Sequence, residues 1–333
     1  MKILMTGPDN NPATSLGGIV TVINMILNNA RSEVIFFNRD PGERGKLVNW
    51  LRKILGFRSL LNRYEFSLVH INLSFDKKSV YRDLLLVYLA TNKRIPVIVH
   101  LHGGLLTFNK NKSIAVRHIL KFADKIIVLN ETEKTSLCSL YGIPTDRISI
   151  LRNCIDFHEI PQFAAIKPVY NRIIYFGRIH KDKGLKEIVE AMDLLKQKNL
   201  PFHLEVYGSG PDEDWFIEAL RTKLGSSFEY KGVVWGKAKW HSLHNSDIFL
   251  LPSYGEGMPM ALLEAMALGK AVIVSDDEAF KKVVVHDESG LLTVKRSSSD
   301  LAEKIAAVLT DPLKQEAMGT RAQAAIKREY YSE

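Results

Sequence analysis

Ile248-Phe-Leu-Leu-Pro-Ser-Tyr-Gly-Glu-Gly-Met-Pro-Met-Ala-Leu-Leu-Glu-Ala-Met-Ala-Leu-Gly-Lys-Ala-Val-Ile-Val-Ser275 is the stretch that decides the fold. Ile248 to Leu251 reads as a short buried strand, and a glycine-bearing loop follows it. Pro259 suits the first turn of a helix and Gly269 its C-terminal cap. Ala271 to Ser275 then reads as the next buried strand. The same alternation runs outward in both directions. Upstream lie Arg172 to Phe176, His203 to Tyr207 and Phe228 to Tyr230, and downstream Gly290 to Thr293. An equivalent series occupies the first half: Lys2 to Thr6, Val34 to Phe37, Ser67 to Ile71, Val97 to Leu101 and Lys125 to Leu129. Helical periodicity lies between them, as in Gly18 to Asn29 and Val80 to Thr91. Strand–helix alternation predicts an α/β protein with parallel sheets covered on both faces. The restart at Arg172 predicts two Rossmann-like domains facing across a cleft, residues 1–160 and 161–333. The weakly periodic segment Asp156 to Tyr170, with Pro161 and Pro168, reads as the linker.

Composition narrows the class. A chain of 333 residues with 46% hydrophobic and 25% charged residues reads as an ordinary globular protein of about two domains. Two cysteines, Cys138 and Cys154, exclude a disulfide framework and favour a reducing compartment. No Cys/His cluster has zinc spacing. The apolar run after Lys2 is too short for a signal peptide, and the longest internal runs are too short to span a bilayer. A cytoplasmic protein is expected, peripheral to the inner face of a membrane at most. Formal charge is lopsided, +9 over residues 1–165 and −1 over the rest. That asymmetry points to an anionic partner for the first half.

In open α/β sheets, ligands sit beyond the carboxyl ends of the strands. The loop after Ile248 to Leu251 would bring backbone N–H groups and a helix N-terminus to such a site, suited to anions and sugar hydroxyls. Glu264 lies within Ala261, Leu262, Leu263, Ala265, Met266 and Ala267 and is expected to be buried. A buried carboxylate needs donors. Ribose hydroxyls would supply them, and so would a structural Lys or Arg. Upstream, Tyr175-Phe-Gly-Arg-Ile-His-Lys-Asp-Lys-Gly184 places Arg178 and Lys183 in a loop after a strand. Two such cations suit a diphosphate, although a solvated basic turn would read the same way.

Glu256 and Glu264, separated by seven residues with Gly257, Met258 and Pro259 after the first, resemble the signature of the GT-B glycosyltransferases of family four. The resemblance implies that Glu256 contacts donor-sugar hydroxyls and Glu264 binds the nucleotide ribose. Gly257, Met258 and Pro259 would face the sugar through their backbone. Gly177 and Arg178 to Lys183 and Gly184 resemble the family's phosphate loop, in which Arg178 and Lys183 hold the pyrophosphate. Gly208-Ser-Gly210-Pro resembles the family's loop near the nucleotide, or is an ordinary turn. Gly17 and Gly18 resemble a glycine loop bordering the reaction centre, or form a flexible helix entry. His102, in His-Gly-Gly104, resembles a histidine near the reacting sugar and acceptor, or is structural. Arg152-Asn-Cys-Ile-Asp156 departs from the family's Pro-Asn-Gly-x-Asp but keeps Asn153 and Asp156. Relatives usually continue into a helix crossing back to the first domain, which is expected to be missing after Glu333.

The resemblance implies transfer of a hexosyl group from a nucleoside-diphosphate sugar to a glycan or polyprenyl-diphosphate-linked acceptor in surface polysaccharide biosynthesis. It implies retention of configuration. Arg178, Lys183 and a helix N-terminus would stand in for a divalent cation, so no metal or other cofactor is expected. Asp212-Glu-Asp214 superficially suggests a metal site, but acidic residues are common at helix starts. The rival readings are a sugar-nucleotide epimerase of the same fold and a non-catalytic sugar-nucleotide-binding subunit. Thr6-Gly-Pro-Asp-Asn lacks the dinucleotide fingerprint. Residues 44–63 hold six cations and no acid. Leu47, Val48, Trp50, Leu51, Ile54, Leu55, Phe57 and Leu61 are expected on one half of a helix, with Arg52, Lys53 and Arg63 on the other. That pattern suits an anionic membrane surface or a core-packed helix. No motif points to nucleic acid.

Overall fold

The computed structural model describes residues 1–11, 17–40, 46–73, 77–103, 114–163 and 171–331. The chain divides into two compact units, Met1–Arg152 and Asn153–Glu333. Segment 153–159 belongs with the second unit because its hydrogen bonds run there. Asn153 Nδ2 donates to the Met258 carbonyl at 2.7 Å, and the Ile155 amide to the Tyr330 carbonyl at 2.8 Å.

The first unit is a six-stranded parallel sheet of β1 (Lys2–Gly7), β2 (Glu33–Asn38), β3 (Leu68–Leu73), β4 (Val97–Leu101), β5 (Lys125–Val128) and β6 (Ile148–Ile150), in the order β2-β1-β3-β4-β5-β6. Its helices are α1 (Gly18–Asn29), α2 (Lys46–Arg63), α3 (Lys77–Asn92), α4 (Ile114–Phe122) and α5 (Glu131–Tyr141). The register pairs Leu4 with Val69 and Ile71 with Val99, so these side chains share one face. Phe57 and Leu61 of α2, Val80 and Leu86 of α3, and Val116 and Ile119 of α4 join them in one core cluster. Helices α2, α3 and α4 therefore lie side by side on that face, α3 in the middle.

The second unit repeats the plan with β7 (Arg172–Phe176), β8 (His203–Tyr207), β9 (Phe228–Gly232), β10 (Ile248–Leu251), β11 (Ala271–Ser275) and β12 (Leu291–Thr293), ordered β12-β11-β10-β7-β8-β9. Its helices are α6 (Leu185–Gln197), α7 (Glu213–Leu224), α8 (Gly236–His244), α9 (Met260–Ala267), α10 (Glu278–Lys281), α11 (Ser298–Leu309) and α12 (Pro312–Glu329). Every residue of β10 and β11 is buried, as expected of parallel strands covered on both faces. The strand order reverses between β7 and β10. That pair is the topological switch point, where the loops after two neighbouring strands part and leave a crevice.

Candidate active site

Three loops meet at the carboxyl end of the second sheet. The loop after β7 runs back-to-back with the loop after β8. The Gly177 amide donates to the Tyr207 carbonyl at 3.1 Å, and the Ile179 amide to the Ser209 carbonyl at 2.9 Å. This approach excludes side chains. A Cβ on Gly208 would lie 1.9 Å from the Gly177 carbonyl oxygen, and one on Gly210 2.0 Å from that of Ile179. The glycines that read as a nucleotide loop or an ordinary turn are thus required where two backbones touch. The buried Tyr175 hydroxyl donates to the Arg178 carbonyl at 2.7 Å and holds the turn. Burial, then the Glu256 charge, pushes its pKa well above the ordinary tyrosine value, so it remains a donor.

Across the switch point, the loop after β10 brings Glu256 to the same place. Lys183 Nζ donates to Glu256 Oε1. The Tyr254 amide donates to the Asp182 carbonyl at 2.8 Å, tying the two loops together. Asn153 fixes the Met258 carbonyl, so the surviving Asn of the departed motif orients the Gly257-Met258-Pro259 backbone. Asp277 accepts from the Gly255 amide at 3.1 Å and pairs with Lys295 at 2.8 Å. Its carboxyl is held below the usual carboxylate pKa: burial acts against this, and the Lys295 hydrogen bond and two backbone amides outweigh it. Pro259 occupies the N-cap position of α9, and Gly269 follows its C-terminus with φ +69°. Arg178 is exposed, and its guanidinium makes no hydrogen bond or ion pair among the described residues.

Glu264, on α9, is 3% exposed. Its Oε1 accepts from Lys239 Nζ of α8 at 2.7 Å. The cation alternative weighed from sequence is therefore occupied, and Lys239 is a site residue the sequence reading missed. Its only sequence signal was the need of a buried carboxylate for a donor. Asp212 accepts from the Lys181 amide at 2.7 Å. Among the described residues, His203, Glu205 and Glu229 have metal-ligand spacing at the opposite, amino end of the sheet. There Arg172 already pairs with Glu205 and Lys231 with Glu229.

In the first unit, Gly17 caps the N-terminus of α1 with φ 122°, and Gly18 is its first residue. Gly104 lies outside the described residues. His102 follows β4, and its Nε2 lies 2.8 Å from Asn72 Oδ1. Asn72 Nδ2 donates to the Thr6 carbonyl, which fixes Oδ1 as the acceptor. His102 therefore carries its proton on Nε2 and leaves Nδ1 as a lone pair. Its ring packs on His100, whose ring stacks on His70, with centroids 4.0 and 5.6 Å apart. Burial, then the charges of His70 and Arg39, pushes His102 down to about 3. Burial alone pushes His70 to about 4.

Helix α2 departs from the expected two-sided wheel. Phe57 and Leu61 point into the core, whereas Val48, Leu51 and Leu55 are exposed. Lys53 is no surface cation, because its Nζ donates to the Asn38 carbonyl at 2.7 Å beside the Phe37 ring. Residues 44 and 45 lie outside the described residues.

Comparison with known proteins bears on the family and the fold. Residues 156–325 match the family model described as glycosyl transferases group 1, and residues 20–159 the one described as glycosyltransferase family 4. The chain is 27% identical over 213 residues to a glycogen synthase of Mycobacterium tuberculosis, covering 63% of this chain and 50% of that protein. It is 28% identical over 270 residues to the N,N'-diacetylbacillosaminyl-diphospho-undecaprenol alpha-1,3-N-acetylgalactosaminyltransferase of Campylobacter jejuni, covering 73% and 70%. The chain thus spans about half the length of the first of these relatives. Anabaena HepE, solved in complex with UDP-glucose, superposes with a TM-score of 0.76 at 17% identity over 99% of this chain and 96% of that one. The fold is GT-B, and the chain belongs to the glycosyl transferases group 1 family.

Proposed function

We propose that the chain transfers a hexosyl unit from a nucleoside-diphosphate sugar to a glycan or polyprenyl-diphosphate-linked acceptor, with retention and without a metal. The observation that carries this reading is the meeting of Lys183 and Glu256 at the β7/β10 switch point, in a loop that also carries the exposed Arg178. An ammonium has three donors. One is given to Glu256, and two remain for a diphosphate. Glu256 keeps its second oxygen for a sugar hydroxyl, and Glu264 its second oxygen for the ribose diol. In transfer, the acceptor hydroxyl oxygen bonds to the anomeric carbon while the bond from that carbon to the diphosphate oxygen breaks, and the hydroxyl proton passes to the departing diphosphate oxygen. The electron pair leaves with the nucleoside diphosphate, where Arg178 and Lys183 neutralise it. By resemblance, His102, Gly17 and Gly18 serve the reacting sugar and the acceptor. The names of two similar proteins support the substrate classes: one acts on an undecaprenol-linked acceptor, and the other was solved with UDP-glucose. A place on the inner face of the cell membrane, reached through residues 44–63, fits a lipid-linked acceptor. No described helix is long and apolar enough to cross a membrane.

A thermal-shift screen of UDP, GDP and ADP sugars, followed by a transfer assay with the hit, tests the reading. A donor at about 100 times its dissociation constant adds about 2.7 kcal/mol of stability. Donor conversion without acceptor would make the protein an epimerase, and binding without transfer a non-catalytic subunit. Arg178→Ala and Lys183→Ala are expected to lower turnover more than they weaken donor binding, because charge on the bridging oxygen grows as the bond breaks. Activity is expected to survive a chelator. Loss on chelation with recovery on adding magnesium would overturn the metal-free mechanism.

A further inference from the structure

The outer surface of the α2–α3–α4 layer has an unusual make-up. The solvent face of a sheet-covering helix ordinarily carries charge. On α3 the outward stripe is instead Tyr81, Leu85 and Tyr88, at spacings of four and three, and Tyr81 and Tyr88 are 61% and 52% exposed. Its only carboxylate, Asp83, is fully buried against Arg39 at 2.7 Å. On α2 the outward Val48, Leu51 and Leu55 repeat the pattern, with Leu55 61% exposed. On α4 the exposed apolar residues are Ile114 and Phe122. Cations flank this central ridge. Arg52, Arg58 and Arg63 are exposed on α2, and Arg117 and Lys121 on α4. None of the three helices exposes a carboxylate.

We propose that this three-helix face docks on an anionic phospholipid bilayer. The uncharged stripe of α3, with α2 residues beside it, enters the interface, and the cations of α2 and α4 meet lipid phosphates on either side. The arrangement extends the surface well beyond residues 44–63 and removes Lys53 from it. Charge decides the occupant. A second copy docked symmetrically would bring five exposed cations against their own images with no acid to offset them. A nucleic acid would leave the uncharged ridge against its phosphates. A bilayer with anionic headgroups accepts both components, since tyrosines sit well at the headgroup level and each cation adds attraction. The use of this face to reach a lipid-linked acceptor rests on the proposed function, whereas the docking does not.

The test is co-sedimentation of the full chain with phosphatidylcholine vesicles, with and without phosphatidylglycerol. Wild type is expected to bind only the anionic vesicles, less so at high salt. Arg52→Glu with Arg58→Glu is expected to weaken partitioning by at least ~25-fold, at about fivefold per cation lost. Tyr81→Ser with Leu85→Ser and Tyr88→Ser is expected to weaken it by about tenfold or more. Lys186→Glu with Arg321→Glu, in the second unit, is expected to bind as wild type. Tryptophan fluorescence of Leu85→Trp is expected to be quenched by brominated lipid tails. Circular dichroism and melting of each variant separate misfolding from lost docking. Equal binding by all variants, no binding by wild type, or no quenching at position 85 would overturn the proposal. So would a concentration-dependent dimer that the α3 variant abolishes, since it would give the face to a second copy. Transfer to a water-soluble acceptor without vesicles is expected to be unchanged in the surface variants. If vesicle binding holds while no donor supports transfer, the catalytic reading fails and the docking face stands.

Discussion

At the level of single residues, the proposed donor site rests on two carboxylates that each hold a lysine. Lys183 joins Glu256, and Lys239 joins Glu264. The glutamates were legible from spacing within one motif. Lys239 was not, because it comes from a separate helix with no local pattern. A double-mutant cycle on Glu264 and Lys239 measures their coupling. Glu264→Ala is expected to cost about 1.5–3 kcal/mol of nucleoside-diphosphate affinity, as for a lost hydrogen bond to a charged group. Lys239→Ala is expected to cost less, and the double variant little more than Glu264→Ala alone. Additive losses would show that Lys239 binds ligand independently. The stacked histidines give a second residue-scale prediction. Burial holds His70 near 4 in the fold, against an ordinary 6.5 when unfolded. Between those values an unfolded His70 binds more protons than a folded one, so its contribution lowers stability as pH drops below about 6.5 and levels off below about 4. His70 alone contributes about 3 kcal/mol to that fall. Melting temperature measured from pH 7.5 to 4 is expected to decline, and His70→Gln to flatten the decline. An unchanged slope would contradict a buried neutral His70.

At the level of elements, strands were the most legible. Val97–Leu101, Arg172–Phe176 and Ala271–Ser275 coincide with their apolar runs because both faces are covered and the sequence has no reason to alternate. Ile148–Ile150 escaped notice, since an edge strand of three residues with Ser149 at its centre leaves no run to see. The wheel of α2 misled because an exposed apolar stripe and a buried one add up to one broad apolar half. Contacts between elements were invisible as well. Gly319 lies inside α12, where sequence shows only a helix-weakening residue. In the fold a Cβ there would sit 2.0 Å from the Gly269 carbonyl oxygen, and Gln323 donates to the Ala267 carbonyl at 2.8 Å. Helix α12 thus clamps the end of the helix that bears Glu264. Gly319→Ala would gain about 1 kcal/mol of helix propensity. Overpacking against backbone costs about 1–3 kcal/mol and should win. Urea titration is expected to show net destabilisation, with weaker nucleotide binding. A stabilised variant would mean that the clamp yields freely.

At the level of the whole molecule, the two sheets share one plan but carry different chemistry. The second holds paired carboxylates and an exposed arginine at its switch point, and the first a buried histidine stack and an acid-free outer helix layer. The sequence showed the duplication through its restart at Arg172 and the charge asymmetry through simple counting. It did not show where the positive surface lies, because only the packing of α2, α3 and α4 reveals which side chains face out. The central claim is that the second unit holds a nucleoside-diphosphate sugar with Glu264 on the ribose and Glu256 on the sugar. Calorimetric titration of wild type, Glu256→Ala and Glu264→Ala with the intact donor and with the free nucleoside diphosphate tests it most directly. The account predicts that Glu264→Ala weakens both ligands, while Glu256→Ala weakens the intact donor and leaves the free nucleotide nearly unchanged. Equal losses of free-nucleotide affinity in the two variants would contradict it.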